Sequence, residues 1–198
     1  MTVRTRKPAA ERKKEIVDTA ILLAAECGPD RLTTESLAKE IGISQPAIFR
    51  HFPAKSDIWE AVGDRICTLM SESGQLIEAT GPTDRLRKIV AAQLAFIEST
   101  PAVPAILFSR ELHSENEKLR AFFAGLMAQR HQRLVKLFEN GIKSGEFNKS
   151  MNPDDAAYVV LALIQGLAMR WSLNNRNFDL VEAGSNMLDV QLSGFSSR

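Results

Sequence analysis

The chain is poor in the residues that most often carry reaction chemistry. It holds two cysteines, three histidines and one tyrosine in 198 residues. Cys27 and Cys67 form no CxxC, so neither a zinc site nor a disulfide framework is expected. Each falls in an apolar helical pattern and reads as a small buried hydrophobe. His51, His113 and His131 make no HExxH or other metal spacing. GxSxG, Walker and GxGxxG motifs are missing. The carboxylates are scattered over helix faces, where solvation accounts for them. These absences argue against an enzyme, and no metal or cofactor is expected. A run of about 18 apolar residues, the signature of a membrane span, is also missing. No apolar block follows the basic start, which reads as a cytoplasmic protein.

Net charge is close to zero, at +1, so the total says nothing about partners. Its distribution says more. Residues 1–56 carry ten Lys/Arg against seven Asp/Glu, and the remainder fifteen against seventeen. Arg4, Arg6, Lys7, Arg12, Lys13 and Lys14 crowd the first fifteen residues as a basic arm, whose plain alternative is a solvated tail. The hydrophobic share of 44% and charged share of 25% are ordinary for a globular chain, and the length suffices for a real core.

Strand alternation, repeats and low-complexity segments are absent, while the helical period is nearly everywhere. Ile16, Ala20, Leu23, Ala24 and Cys27 share one helix face, which Gly28-Pro29 ends. Thr33-Thr34 starts a short helix whose inner face is Leu37, Ala38 and Ile41. Ser56-Asp57 reads as the cap of a helix reaching about Leu76. Further helices are expected over 85–99, 105–112, 115–143, 156–173 and 180–195. The fold class is all-α with about nine helices.

The segment IGISQPAIFRHFPAKSDIW, residues 41–59, gathers breakers, aromatics and cations. Gly42 suits the left-handed residue at a helix end. Ser44 sits at a cap, and Pro46 in the first turn, where a missing N–H costs nothing. The next helix must end before Pro53. Helix, three-residue turn and short helix is the helix-turn-helix spacing. Ala47, Ile48 and Phe52 can pack inward, while Ser44, Gln45, Arg50 and His51 project outward. A helix in the major groove reads base edges with its first residues and grips phosphates with hydroxyls and cations. Ala47 permits close approach and can touch a thymine methyl. Lys55 lies beside a positive helix end, a phosphate clamp. The alternative is a helical hairpin with a solvated charged face.

TTESLAKEIGISQPAIFRHFPAKSDIWEAV resembles the signature of the TetR family of bacterial transcription regulators. Thr34, Leu37-Ala38, Gly42-Ile43-Ser44, Phe49, His51-Phe52-Pro53 and Lys55 fall in register, and the match covers about a third of the chain. The resemblance implies a helix-turn-helix DNA-binding domain over residues 11–70, preceded by the basic arm 1–10. A helical effector-binding and dimerisation domain follows over 71–198. Thr34, Ser44, Phe49, His51 and Lys55 match phosphate-contacting positions, and Gln45, Ala47 and Arg50 match base-reaching ones. Phe49 stands where the family usually has tyrosine, so a hydroxyl contact to phosphate is lost, and Pro46 replaces a usual glycine or small residue. The implied protein is a ligand-responsive repressor that releases a pseudo-palindromic operator. It is a homodimer through helices 156–173 and 180–195. Its small-molecule effector is largely apolar.

Helix 156–173 is apolar nearly all round, so both of its faces need cover. Leu69, Met70, Phe96, Phe108, Phe123, Met127 and Trp171 are the candidate pocket walls, though each alone reads equally well as plain core. Arg110, His113 and Gln165 are candidate polar contacts, and an arginine among them would favour an anionic ligand. Two rivals keep DNA binding without a small ligand: an architectural protein, which would not need so large a helical domain, and a regulator with a protein effector.

Overall fold

The computed structural model describes residues 7–73 and 78–195. Arg4, Arg6 and the expected helix end at Leu76 lie outside the described residues. The fold is all-α, with ten helices among the described residues. Three of them make an N-terminal trihelical unit: α1 (Ala9–Cys27), α2 (Thr34–Ile41) and α3 (Gln45–Phe49). Then follow α4 (Lys55–Ser73), α5 (Pro82–Ser99), α6 (Ala102–Leu107) and α7 (Arg110–Glu115). The long α8 (Glu117–Ser144), α9 (Pro153–Leu173) and α10 (Leu180–Phe195) complete the chain.

Local signals explain most boundaries. The Thr33 hydroxyl accepts the Ser36 N–H while the Ser36 hydroxyl accepts the Thr33 N–H, a reciprocal cap on α2. Gly42 closes α2 at φ 71°, and the Ile43 N–H reaches back to the Ala38 carbonyl at 2.9 Å. Helix α4 begins at Lys55, earlier than the Ser56-Asp57 cap expected from sequence. Asp57 lies inside its first turn and accepts the Ala54 N–H at 2.8 Å. The segment expected as one helix over 105–112 is broken at Phe108. Ser109 caps α7 by accepting the Leu112 N–H, and Asn116 caps α8 by accepting the Leu119 N–H.

Cys27 is exposed, which corrects its reading as a buried hydrophobe. It is the last residue of α1, and its thiol donates to the Leu23 carbonyl at 3.1 Å. Cys67 is half-buried.

Helix α4 joins the two ends of the molecule. It packs on α1 on one side and on α5 and α8 on the other. Ile58, Trp59, Val62 and Ile66 are all buried along it. It crosses α8 closely at Gly63, where an added Cβ would lie 3.1 Å from Leu119. Polar ties reinforce the junction: Arg65 with Asp18 at 3.2 Å, the Asn116 amide donating to the Ser56 carbonyl at 3.3 Å, and the Ser109 hydroxyl donating to Asp30 at 2.5 Å. From the far end, the Arg176 guanidinium donates to the Ala25 carbonyl at 2.6 Å.

The C-terminal helices stack as α8 on α9, α9 on α10 and α10 on α5. Gly141 in the last turn of α8 lets the Phe147 ring close over the helix. The ring then meets Phe138, which also meets Phe195, with centroids 5.2 and 5.4 Å apart. A Cβ at Gly141 would fall 2.1 Å from that fully buried ring. Gly141→Ala is therefore expected to lower stability by about 1–3 kcal/mol, the usual cost of overpacking, with helical content kept. Chemical denaturation followed by circular dichroism measures it, and an unchanged midpoint would show that the ring moves aside freely.

Candidate nucleic-acid interface and effector cavity

The outer face of α3 is built by what lies beneath it. Ile48 and Phe52 are buried, α3 packs on α2, and Ala47 is half-buried. That leaves Ser44, Gln45, Phe49 and Arg50 exposed. Ser44 is the N-cap residue in extended conformation, yet its hydroxyl makes no cap bond. Phe49 keeps 41% of its surface exposed, a large apolar group held out on a five-residue helix. His51 and Lys55 are half-buried at the far side of the same face. Arg50 and Lys55 have no ion pair among the described residues.

Thr34 departs from the picture of an open phosphate contact. It is buried at the first position of α2, and its hydroxyl accepts the Gln45 side-chain amide at 2.8 Å. The bond joins a candidate phosphate contact to a candidate base reader. The basic arm is also less free than its composition suggests. Lys7 and Arg12 both pair with Glu15, at 2.8 and 2.7 Å, and Lys14 pairs with Asp18 at 3.5 Å. The hydrogen bond from Lys7 holds the Glu15 carboxyl below its ordinary range. Lys13 lies over the Phe52 ring, 5.5 Å from its centroid.

A cavity opens between α4, α5, α6, α8 and α9. Ile66 and Met70 come from α4, Gln93, Phe96 and Ile97 from α5, and Val103, Pro104 and Leu107 from α6, followed by Phe108. Phe123, Leu126, Met127 and Arg130 come from α8, and Leu161, Ile164, Gln165 and Ala168 from α9. The cavity volume is only about 30 Å³. The space is therefore narrow, and a drug-sized molecule, which needs roughly 300 Å³ or more, must part the helices to enter.

The cavity gathers Met70, Phe96, Phe108, Phe123 and Met127 from the expected walls, and Gln165 from the expected polar contacts. Leu69 and Trp171 are not among its walls. Ile66 and Met70 present α4 to the space, and Leu69 sits to the side. Trp171 is buried elsewhere: its indole N–H donates to the Phe178 carbonyl at 3.0 Å, and Arg176 lies 5.9 Å from its ring. Arg110 is exposed on α7. His113 turns Nε2 to the Leu107 carbonyl at 3.1 Å and its ring edge to Phe123. The residue that sequence reasoning missed is Arg130. The signal was present, because Phe123, Met127, Arg130 and Leu134 follow one helical stripe.

Residues 16–62 match the family of bacterial regulatory proteins, tetR family, and residues 82–191 match the C-terminal domain of BetI-type transcriptional repressors. The chain belongs to the TetR family. It is therefore a DNA-binding regulator, and the family is not one of enzymes. Among relatives, the nucleoid occlusion factor SlmA of Vibrio cholerae is 37% identical over 112 residues, 55% of this chain and 57% of that protein. The chain thus spans under two thirds of the length of that relative, and 60% of the SlmA of Vibrio atlanticus. SlmA of Shewanella halifaxensis is 29% identical over 80% of this chain and 82% of its own. The TetR-type fold is shared with a putative transcriptional regulator from Saccharomonospora viridis in complex with choline. Its TM-score is 0.82 at 24% identity, covering 96% of this chain and 100% of that one. FadR from Bacillus subtilis, solved with stearoyl-CoA, has a TM-score of 0.76 at 21% identity, covering 91% and 98%.

The Thr34–Gln45 bond makes a test of local order. Thr34→Val keeps the shape and removes the acceptor. It should cost under about 1.5 kcal/mol, since Gln45 is exposed and its amide turns to water instead. The Gln45 side-chain amide signals in a nitrogen-15 NMR spectrum should move to positions typical of a free glutamine. Unmoved signals would mean that the bond does not persist in solution.

Proposed function

We propose that this TetR-family member is a homodimeric repressor that releases a pseudo-palindromic operator when a largely apolar small molecule enters the cavity between α4, α5, α6, α8 and α9. The observation that carries this reading is the double use of α4. Lys55 begins it beside α3, and Ile66 and Met70, near its other end, line the cavity. A ligand acts only by favouring one arrangement of the helices over another. Because the cavity is narrow, entry has to displace its walls, α4 included. Tilting α4 alters the spacing of two recognition helices that must meet grooves about 34 Å apart. The domain split proposed is residues 11–70 for DNA and 71–198 for effector and dimerisation. The family's site of action makes the cytoplasm the compartment.

Choline in one neighbour and stearoyl-CoA in another support a small-molecule effector. The SlmA relatives are named nucleoid occlusion factors, which supports a second reading, a DNA-binding regulator without a small-molecule ligand. The BetI-type match over 82–191 supports the first. A thermal-shift screen of small molecules separates the two, with stabilisation expected for the first alone.

On α3, Gln45, Ala47 and Arg50 are the proposed base readers, and Ser44, Phe49, His51 and Lys55 the proposed phosphate side. Thr34 acts through Gln45. Gln45→Ala should cost roughly 1–3 kcal/mol on the best site and relax preference at one base pair. Lys55→Ala should weaken all sequences alike and lower the salt slope by about one per protomer. Selection from a random DNA pool measures the first and a salt titration of DNA affinity the second, and an unchanged preference for Gln45→Ala would remove it from base reading.

Six of the eight large hydrophobics exposed among the described residues lie on α9 and α10: Tyr158, Val159, Met169, Leu173, Met187 and Val190. Leu173 is 77% and Val190 71% exposed. A second copy of the chain would cover this strip with its own α9 and α10. Helix α9 is also long and apolar enough to cross a membrane, but half of it is already buried within the chain. Leu163, although apolar, is buried in its own protomer and does not belong to the strip. Gly166 does, with open space around its Cβ position. Gly166→Glu should leave a folded protomer and raise the dimer Kd by about 100-fold, since an unpaired buried charge costs roughly 3 kcal/mol. Sedimentation equilibrium measures it. A monomer for the unsubstituted chain at micromolar concentration would overturn the dimer.

A further inference from the structure

We propose that the cavity takes a slender apolar molecule bearing one negative charge, a carboxylate on an unbranched hydrocarbon body, and that Arg130 is its anchor. The proposal rests on reading the cavity as the effector site and adds the chemical class of the effector.

Arg130 enters the cavity from the apolar stripe of α8, between Met127 and Leu134. Its Nη1 is buried without a hydrogen-bond partner. A guanidinium has five N–H donors and no acceptor, so nothing but an acceptor satisfies that group. Among the described residues, no Asp or Glu is in the cavity walls. The other polar walls, Gln93 and Gln165, are neutral, and the Gln165 amide is turned to the Met127 sulfur at 3.4 Å. Burial, with a smaller contribution from Arg133, lowers the Arg130 pKa to about 10. The group therefore stays protonated at neutral pH, and the cavity holds a positive charge with no counter-charge among its described walls.

This arrangement sorts ligands by head group. A carboxylate supplies charge and acceptors together, and guanidinium–carboxylate pairs are among the stronger polar contacts. A neutral alcohol supplies an acceptor without the charge. A quaternary ammonium finds aromatic walls in Phe96, Phe108 and Phe123, which would suit it elsewhere, but here it meets a like charge in a poorly screened space. The narrowness of the cavity favours a flexible chain over a fused ring body.

The test varies the head group on one body. Decanoate, 1-decanol, decyltrimethylammonium and decanoyl-CoA, each below its micelle concentration, are titrated calorimetrically into the full chain. Decanoate should bind at least about 10-fold tighter than decanol, with decyltrimethylammonium weaker still. A charge-assisted hydrogen bond of roughly 1.5 kcal/mol or more converts to that ratio. Arg130→Gln should bring decanoate and decanol together, while Arg130→Lys keeps most of the preference. Unliganded Arg130→Gln should melt no lower than the parent, because an unsatisfied buried charge has been removed. Should that variant fold poorly, the lysine variant and the head-group series on the parent decide. Equal binding of decanol, tighter binding of decyltrimethylammonium or of decanoyl-CoA, or no decanoate binding at millimolar concentration would each overturn the proposal. Operator release is assayed separately. Decanoate held by Arg130 without effect on operator binding would keep the site and overturn the effector reading instead.

Discussion

Everything in this fold depends on burying α4 from two directions. Ile58, Trp59, Val62 and Ile66 leave water only because α1 covers part of the helix while α5 and α8 cover the rest. At roughly 25 cal/mol per Å² of apolar surface, such a helix cannot stand without both sets of neighbours. The trihelical unit and the C-terminal helices are therefore joined by core, not by a linker. The ion pair of Arg65 with Asp18 and the bond from Asn116 to Ser56 fix orientation around that core. The α9–α10 loop adds a tie from the opposite side, from Arg176 to Ala25.

The helix-turn-helix was legible because its signals are local. Gly42, Ser44 and Pro46 act within a few residues through backbone conformation and missing donors, and the turn follows without knowledge of the rest. The long helices were legible for a related reason, since period and caps are properties of short windows. The break at Phe108 was less so, because Ser109 and Asn116 act as caps only where the chain has room to turn. Leu69 and Trp171 lie off the cavity, and apolarity says only that a side chain is buried, not against what. Arg130 was missed from the other side. A lone arginine on a long amphipathic helix is usually solvated, and only the convergence of five helices turns its position in the stripe into a buried charge. The Thr34–Gln45 bond, between residues eleven apart, likewise needed the angle between α2 and α3.

The two halves of the chain answer to different constraints. The surface of α3 must fit a groove of fixed shape. The C-terminal helices have only to enclose a cavity, and many packings do so. The polar groups within the enclosure are few: Gln93, Gln165 and Arg130 among the described walls.

The close crossing of α4 over α8 at Gly63 has a mechanical consequence. The two helices lie so near each other there that an added Cβ would sit 3.1 Å from Leu119. The crossing is thus a fulcrum. Lys55 lies eight residues to one side and Met70 seven to the other, arms of about 12 Å and about 10 Å at 1.5 Å per residue. A rocking motion about Gly63 would carry a displacement at the cavity to the DNA face at nearly equal amplitude and in the opposite sense. A few ångströms of wedge between α4 and its neighbours would then become a few ångströms of misfit at the groove.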